Sequence, residues 1–64
     1  MNREDITAAL EQLKNGTIEE FYVPKIDFLP VRNVLINRED FKHFQGIAQR
    51  GGDVVYKYTK SPRS

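Results

Sequence analysis

The sequence contains no cysteine, no tryptophan and a single histidine. Without cysteine, disulfide bridges and thiolate metal sites are excluded. One histidine would need carboxylates to complete a zinc site, and no such cluster occurs, so we expect neither a metal nor a cofactor. The longest apolar stretch, Val31–Ile36, is interrupted by Arg32 and Asn33. Such a stretch is too short for a membrane span, which needs roughly 20 apolar residues.

The short length also limits what the chain can form. Its 64 residues are expected to make one small domain, residues 1–64, in which residues 61–64 are a frayed polar tail. A domain of this size buries only about 60% of the surface that its unfolded chain exposes, so self-association is the expected extra source of stability. Residues 1–5 lead directly into a charged helical pattern and have no signal-peptide apolar core. Together with the lack of cysteine, this favours the cytoplasm.

Charge is divided unevenly along the chain. Residues 1–30 carry three basic and six acidic residues, whereas residues 31–64 carry seven basic and three acidic residues. The acidic half of one copy can pair with the basic half of another, or the basic half can face a polyanion. The alternative is that charge falls this way by chance in a short chain.

The N-terminal half predicts a helix followed by strands. Asn2 is a favourable helix cap, and a helical stripe of apolar residues over residues 3–15 ends at Gly16. Residues 17–25 are rich in β-forming residues and predict a strand that Pro24 ends. Residues 26–30 are interpreted as a bend. The composition of Val31–Ile36 then predicts a second strand.

The C-terminal half predicts a second helix and a final strand. Asn37 repeats the capping chemistry, and an apolar stripe from Phe41 to Ala48 predicts a helix that Gly51 and Gly52 end. Gly46, inside this stripe, is expected to allow the close approach of another backbone. Val54–Tyr58 predicts the last strand. The expected fold class is therefore α+β, in the order α-β-(β)-α-β, with two helices packed on one face of a small two- to three-stranded sheet.

The tetrapeptide Asn-Arg-Glu-Asp occurs at residues 2–5 and again at residues 37–40, an offset of 35 residues. Extending this offset pairs Gly16 with Gly51 and Phe21 with Tyr56. Two interpretations remain open. Either the chain contains an internal αβ duplication, or two helices converged on the same cap and stop chemistry.

The sequence lacks a recognisable catalytic constellation, and we expect no enzymatic activity. The paired carboxylates at residues 4–5 and 39–40 suit helix N-termini. Glu19 and Glu20 alternate across a predicted strand, so they cannot share a proton. His43 lies beside the predicted apolar stripe and is interpreted as a surface residue.

The C-terminal strand and tail contain the most suggestive set of residues: Arg50, Tyr56, Lys57, Tyr58, Lys60 and Arg63. The tyrosines share one strand face, so they are suited either to stacking on unpaired bases, with cations meeting phosphates, or to packing in the core. Lys57 points to the opposite face, which weakens the stacking interpretation. We favour the core interpretation, because the offset of 35 residues pairs Tyr56 with Phe21 and Tyr58 with Val23. The preferred function is a binding or assembly module, a homodimer or a protein-partner complex, in which the final strand is free to pair with its twin. The alternative is a weak nucleic-acid-binding module.

Overall fold

A computed structural model describes residues 1–61 and places two helices on one face of a three-stranded antiparallel sheet. This arrangement confirms the α+β class. Arg63 and most of the predicted tail lie outside the described residues. The elements are α1 (Arg3–Lys14), β1 (Phe21–Val23), α2 (Phe28–Ile36), β2 (Phe44–Ala48) and β3 (Val54–Tyr58). Single 3₁₀ turns precede α2, β2 and β3. No helix among the described residues is long and apolar enough to cross a membrane.

Helix α1 forms where its cap and apolar spacing predict it. The Asn2 side chain accepts a hydrogen bond from the Asp5 amide at 2.8 Å, which satisfies one of the unpaired donors of the first turn. Ile6, Leu10 and Leu13 are buried on one side of the helix. The chain then turns at Gly16, where φ is +83°, a conformation that glycine adopts without a Cβ clash.

The strand predicted over Val31–Ile36 is wrong, because this segment belongs to α2. Its Val31 and Leu35 are buried at helical spacing. Pro30 is tolerated in the first turn, where an amide has no helical acceptor to lose. The apolar, partly β-branched composition suggested a strand, but the helical period decides the structure, since it aims these side chains at the core.

The helix predicted after Asn37 is also wrong. The Asn37 side chain donates to the Asn33 carbonyl at 2.7 Å, and this asparagine therefore ends α2 instead of starting a helix. The two Asn-Arg-Glu-Asp tetrapeptides consequently lie in different local structures. Residues 41–43 form one 3₁₀ turn, and the chain then extends into β2. Gly46 disfavours a helix at this position.

Strand β3 is the centre of the sheet, whose order is β1-β3-β2. The prediction of a strand over Val54–Tyr58 is confirmed, but the prediction that this final strand has a free edge is wrong, since both of its edges are paired. Gly46 lies opposite Tyr56 on β3, and a Cβ there would approach the tyrosine Cε1 to 3.1 Å. The missing side chain thus makes room for an aromatic ring, not for a backbone.

The core lies between the helices and the inner face of the sheet. Its nine buried residues are Ile6, Leu10, Leu13, Phe21, Val23, Val31, Leu35, Phe44 and Tyr56. The outer face of the sheet has no helix over it, and Tyr22 on that face is 55% exposed. The inner face of the sheet is therefore packed in the core, whereas the outer face is exposed. Strand β2 lies at the edge of the sheet, next to both faces.

Candidate functional site

The aromatic residues proposed for base stacking lie on the inner face of the sheet. Tyr56 is only 6% exposed and belongs to the core. Tyr58 is half-buried; its ring meets Phe44 edge-on at a centroid distance of 5.1 Å and stacks on His43 at 5.3 Å. These positions agree with the core interpretation and leave no exposed pair of rings at Tyr56 and Tyr58.

The basic residues of the same hypothesis do not share one surface. Lys57 points to the outer face, where its ammonium lies 3.8 Å from the Glu20 carboxylate. Arg50 lies in the turn before β3, whereas Lys60 follows the other end of that strand. Arg63 lies outside the described residues. The structure therefore brings together the tyrosines but not the cations.

The edge of β2 was missed by the sequence analysis. Thr59 donates its amide proton to the His43 carbonyl at 2.7 Å, and Gln49 donates to the Asp53 carbonyl at 2.8 Å. Within residues 43–49, the odd-numbered residues therefore form the hydrogen bonds to β3. Because the pattern alternates in an antiparallel pair, the amides and carbonyls of Phe44, Gly46 and Ala48 point away from the sheet. Within residues 1–61 no strand pairs with that side.

A groove of about 340 Å³ lies between this edge and α2. Its walls are apolar and come from α2, from the turn before β2 and from the inner face of the sheet. Ile36 and Phe41 on these walls are 46% and 37% exposed. Arg32 is the one charged side chain among the described residues that line the groove, and no carboxylate of residues 1–61 lies within ion-pair distance of it.

Tyr56 supplies a polar group to the wall of this groove. Burial raises the pKa of its phenol, and the nearby positive charge of Arg32 opposes part of that rise. The phenol is therefore protonated at neutral pH and is able both to donate and to accept a hydrogen bond. Tyr56 and Arg32 are the two polar side chains among the described residues that line the groove.

An ion network fixes the chain immediately before β2. The Arg38 guanidinium lies 2.9 Å from Asp40 and 2.9 Å from Glu11, and it also covers the Phe44 ring at 5.6 Å. This guanidinium holds the pKa of the Asp40 carboxyl below its usual range, despite partial burial that acts in the opposite direction. Arg38 thus ties the entrance of β2 to α1, and its charge is already engaged.

Two further polar groups are hydrogen-bonded within the fold: the Tyr22–Asp53 pair and the His43 ring. The Tyr22 hydroxyl donates to Asp53, whose other oxygen accepts from the Lys25 amide at 2.8 Å. The hydrogen bond raises the pKa of Tyr22 and lowers that of Asp53, so the phenol stays protonated and the carboxylate stays ionised at neutral pH. His43 lies 2.8 Å from the Thr59 carbonyl through Nδ1, and because a carbonyl only accepts, that nitrogen carries the proton.

Comparison with known proteins gives one match. A family model described as YkzS-like protein matches residues 3–57, which include both helices and most of the sheet. No curated protein and no solved structure matches the chain significantly.

Proposed function

We propose a binding role for this chain, which belongs to the YkzS-like protein family. In this proposal the protein is not an enzyme. It binds an extended segment of a protein partner, which adds to β2 as a fourth strand. The groove between β2 and α2 receives the side chains of that segment on the inner side.

The observation that carries this proposal is the unpaired edge of β2. Phe44, Gly46 and Ala48 offer amides and carbonyls that no strand among the described residues uses. Native proteins usually protect such an edge with a charged residue, a proline or a bulge. Residues 44–48 contain neither a charge nor a proline, and residues 45–48 are exposed. Main-chain hydrogen bonds from an added strand would satisfy these groups, as in other β-strand additions.

The groove supports the same role through side-chain contacts. Alternate residues of an added strand point to the two faces of the sheet, so every second side chain of the segment reaches the groove. Partly exposed Ile36 and Phe41 offer apolar surface there. Main-chain pairing would give affinity, and the groove would give selectivity for side chains.

A protein partner fits this edge better than a second copy does. When two β2 strands pair along their full length about a two-fold axis, Gly46 lies opposite Gly46, and Lys42 of one copy lies near Arg50 of the other. This pairing opposes like charges at both ends of the contact, which is destabilising. The homodimer expected from the sequence would appear as a concentration-dependent mass in sedimentation experiments, and a dimer that blocks β2 would contradict our proposal.

The proposal is tested with a random library of displayed peptides selected on the immobilised protein. Selected peptides should shift the amide NMR signals of Phe44, Gly46 and Ala48. Ala48→Pro removes an outward amide without removing a bond to β3, so this variant should fold and bind about tenfold more weakly. Ala48→Ser keeps the amide and is the matched control. Equal binding by both variants would refute strand addition at this edge.

The alternative expected from the sequence is nucleic-acid binding, and it stays a prediction. Tyr56 and Tyr58 do not support it, because both rings pack on the inner face of the sheet. It is tested by adding short single-stranded RNA at low salt, where phosphate contacts are strongest. The cytoplasmic location is likewise part of the proposal. A fluorescent fusion observed in living cells tests it.

A further inference from the structure

We infer that the segment bound at β2 is acidic at its ends and apolar at its centre. This inference rests on the proposed function and adds the chemistry of the partner. The carboxylates of the segment would meet Arg32, Lys42 and Arg50, and its central side chains would enter the groove.

The charge around β2 has one sign. Residues 41–52, which comprise β2 and both of its flanking turns, contain Lys42, His43 and Arg50 but no carboxylate. Lys42 and Arg50 are exposed and lie beyond opposite ends of the strand. A paired strand that extends past both ends of β2 therefore brings its terminal residues near these cations.

No carboxylate among the described residues forms an ion pair with Lys42 or Arg50. Asp40 is held by Arg38, and Asp53 accepts hydrogen bonds from Tyr22 and from the Lys25 amide. These contacts already occupy both carboxylates, and Glu39, which is exposed, forms no ion pair among the described residues. The cations near β2 consequently lack an acidic partner that an incoming segment would have to displace.

Arg32 extends the positive charge into the groove. Three other cations of the described region form ion pairs: Lys14 with Asp40, Arg38 with Glu11, and Lys57 with Glu20. Arg32 instead is exposed at the rim of apolar walls and forms no ion pair among the described residues. Besides the acidic ends, one inward-facing carboxylate next to the apolar central residues would pair with Arg32.

The centre of the segment is inferred from the walls. Phe28, Ile36 and Phe41 line the groove, and burying such surface favours apolar side chains at the positions opposite β2. Gly46 leaves the inner face without a side chain of its own there, so the Tyr56 ring is the surface that a central residue would meet.

The peptide selection described above also tests this inference, through the charge of the peptides that it enriches. We expect aspartate and glutamate at both ends of the enriched sequences, and binding that weakens with added salt. Enriched neutral or basic peptides that still shift the β2 amides would overturn the inference and leave the proposed function intact. An absence of enriched peptides, or binding that does not perturb β2, would overturn the proposed function itself.

Two charge reversals make the test specific. Arg32→Glu should weaken an acidic peptide about tenfold, because it replaces an attraction with a repulsion at a partly exposed site. Lys57→Glu changes the net charge equally but lies on the outer face, so its affinity should stay within about twofold of the original. Equal effects of the two variants would refute a specific role for Arg32 and overturn this part of the inference.

Discussion

Replacing Leu10 by alanine removes a side chain that is fully buried between α1 and the rest of the core. Leucine-to-alanine changes at such sites cost about 3–5 kcal/mol, which includes the lost burial and the cavity left behind. Marginal stability of about 0.05–0.15 kcal/mol per residue gives a chain of 64 residues roughly 3–10 kcal/mol in total. The variant should therefore lose a third or more of its stability. Its melting temperature should fall by about 20–40 °C.

The matched control is Leu29→Ala, because Leu29 is also helical but is 64% exposed. This change should alter the free energy of unfolding by less than about 0.5 kcal/mol. Both variants are compared with the parent by urea unfolding followed by far-UV circular dichroism, since the chain has no tryptophan. If Leu10→Ala cost less than about 1 kcal/mol, or no more than Leu29→Ala, the described core would be refuted.

The remaining predictions concern the Asp40 ion pair and the glycine of β2. Since Arg38 lowers the pKa of Asp40 below its ordinary 3.8, this pair stabilises the fold above that pH, and its contribution disappears as the pH falls through the lower folded-state value. Urea midpoints measured from pH 7 to pH 2 should therefore depend less on pH in Arg38→Gln, and an unchanged dependence would contradict the pair. Gly46→Val should destabilise the fold by about 1–3 kcal/mol in thermal unfolding, because the Cβ of the new valine meets the Tyr56 ring. An unchanged stability would mean that the Tyr56 ring does not lie against residue 46.

The sequence predicted the elements whose local signals agree with one another. In α1 the cap, the apolar period and Gly16 all indicate the same helix, and the structure contains it. Strands β1 and β3 have concentrated β-forming residues, and Pro24 ends the first of them. The buried positions of Phe21 and Tyr56 follow from this alternation.

The middle of the chain was misread because its signals conflict. Val31–Ile36 has strand-like composition but a helical burial period, which only the packing against α1 decides. In β2, Phe44 is buried while Ile47 points to the opposite face, so the apparent helical stripe divides between two surfaces. Gly46 was the available signal, because glycine opposes a helix and suits a strand next to a large ring.

The candidate site depended on the same error. An edge cannot be recognised while its strand is assigned to a helix, and the order β1-β3-β2 is a long-range property that local patterns do not contain. The basic character of residues 41–52 was visible in the sequence, as was Arg32. Their placement around one groove depended on the fold of α2 and β2.

The central position of β3 also orders the events of folding. β1 and β2 pair with β3 and not with each other, so the sheet has no partial form that lacks residues 54–58. On the ribosome, the two outer strands must wait for the central strand to emerge before either of them gains a hydrogen-bonded neighbour. The helices are able to meet earlier, because α1 packs directly on α2. Both outer strands therefore depend on the same five-residue segment for their hydrogen-bonded neighbour.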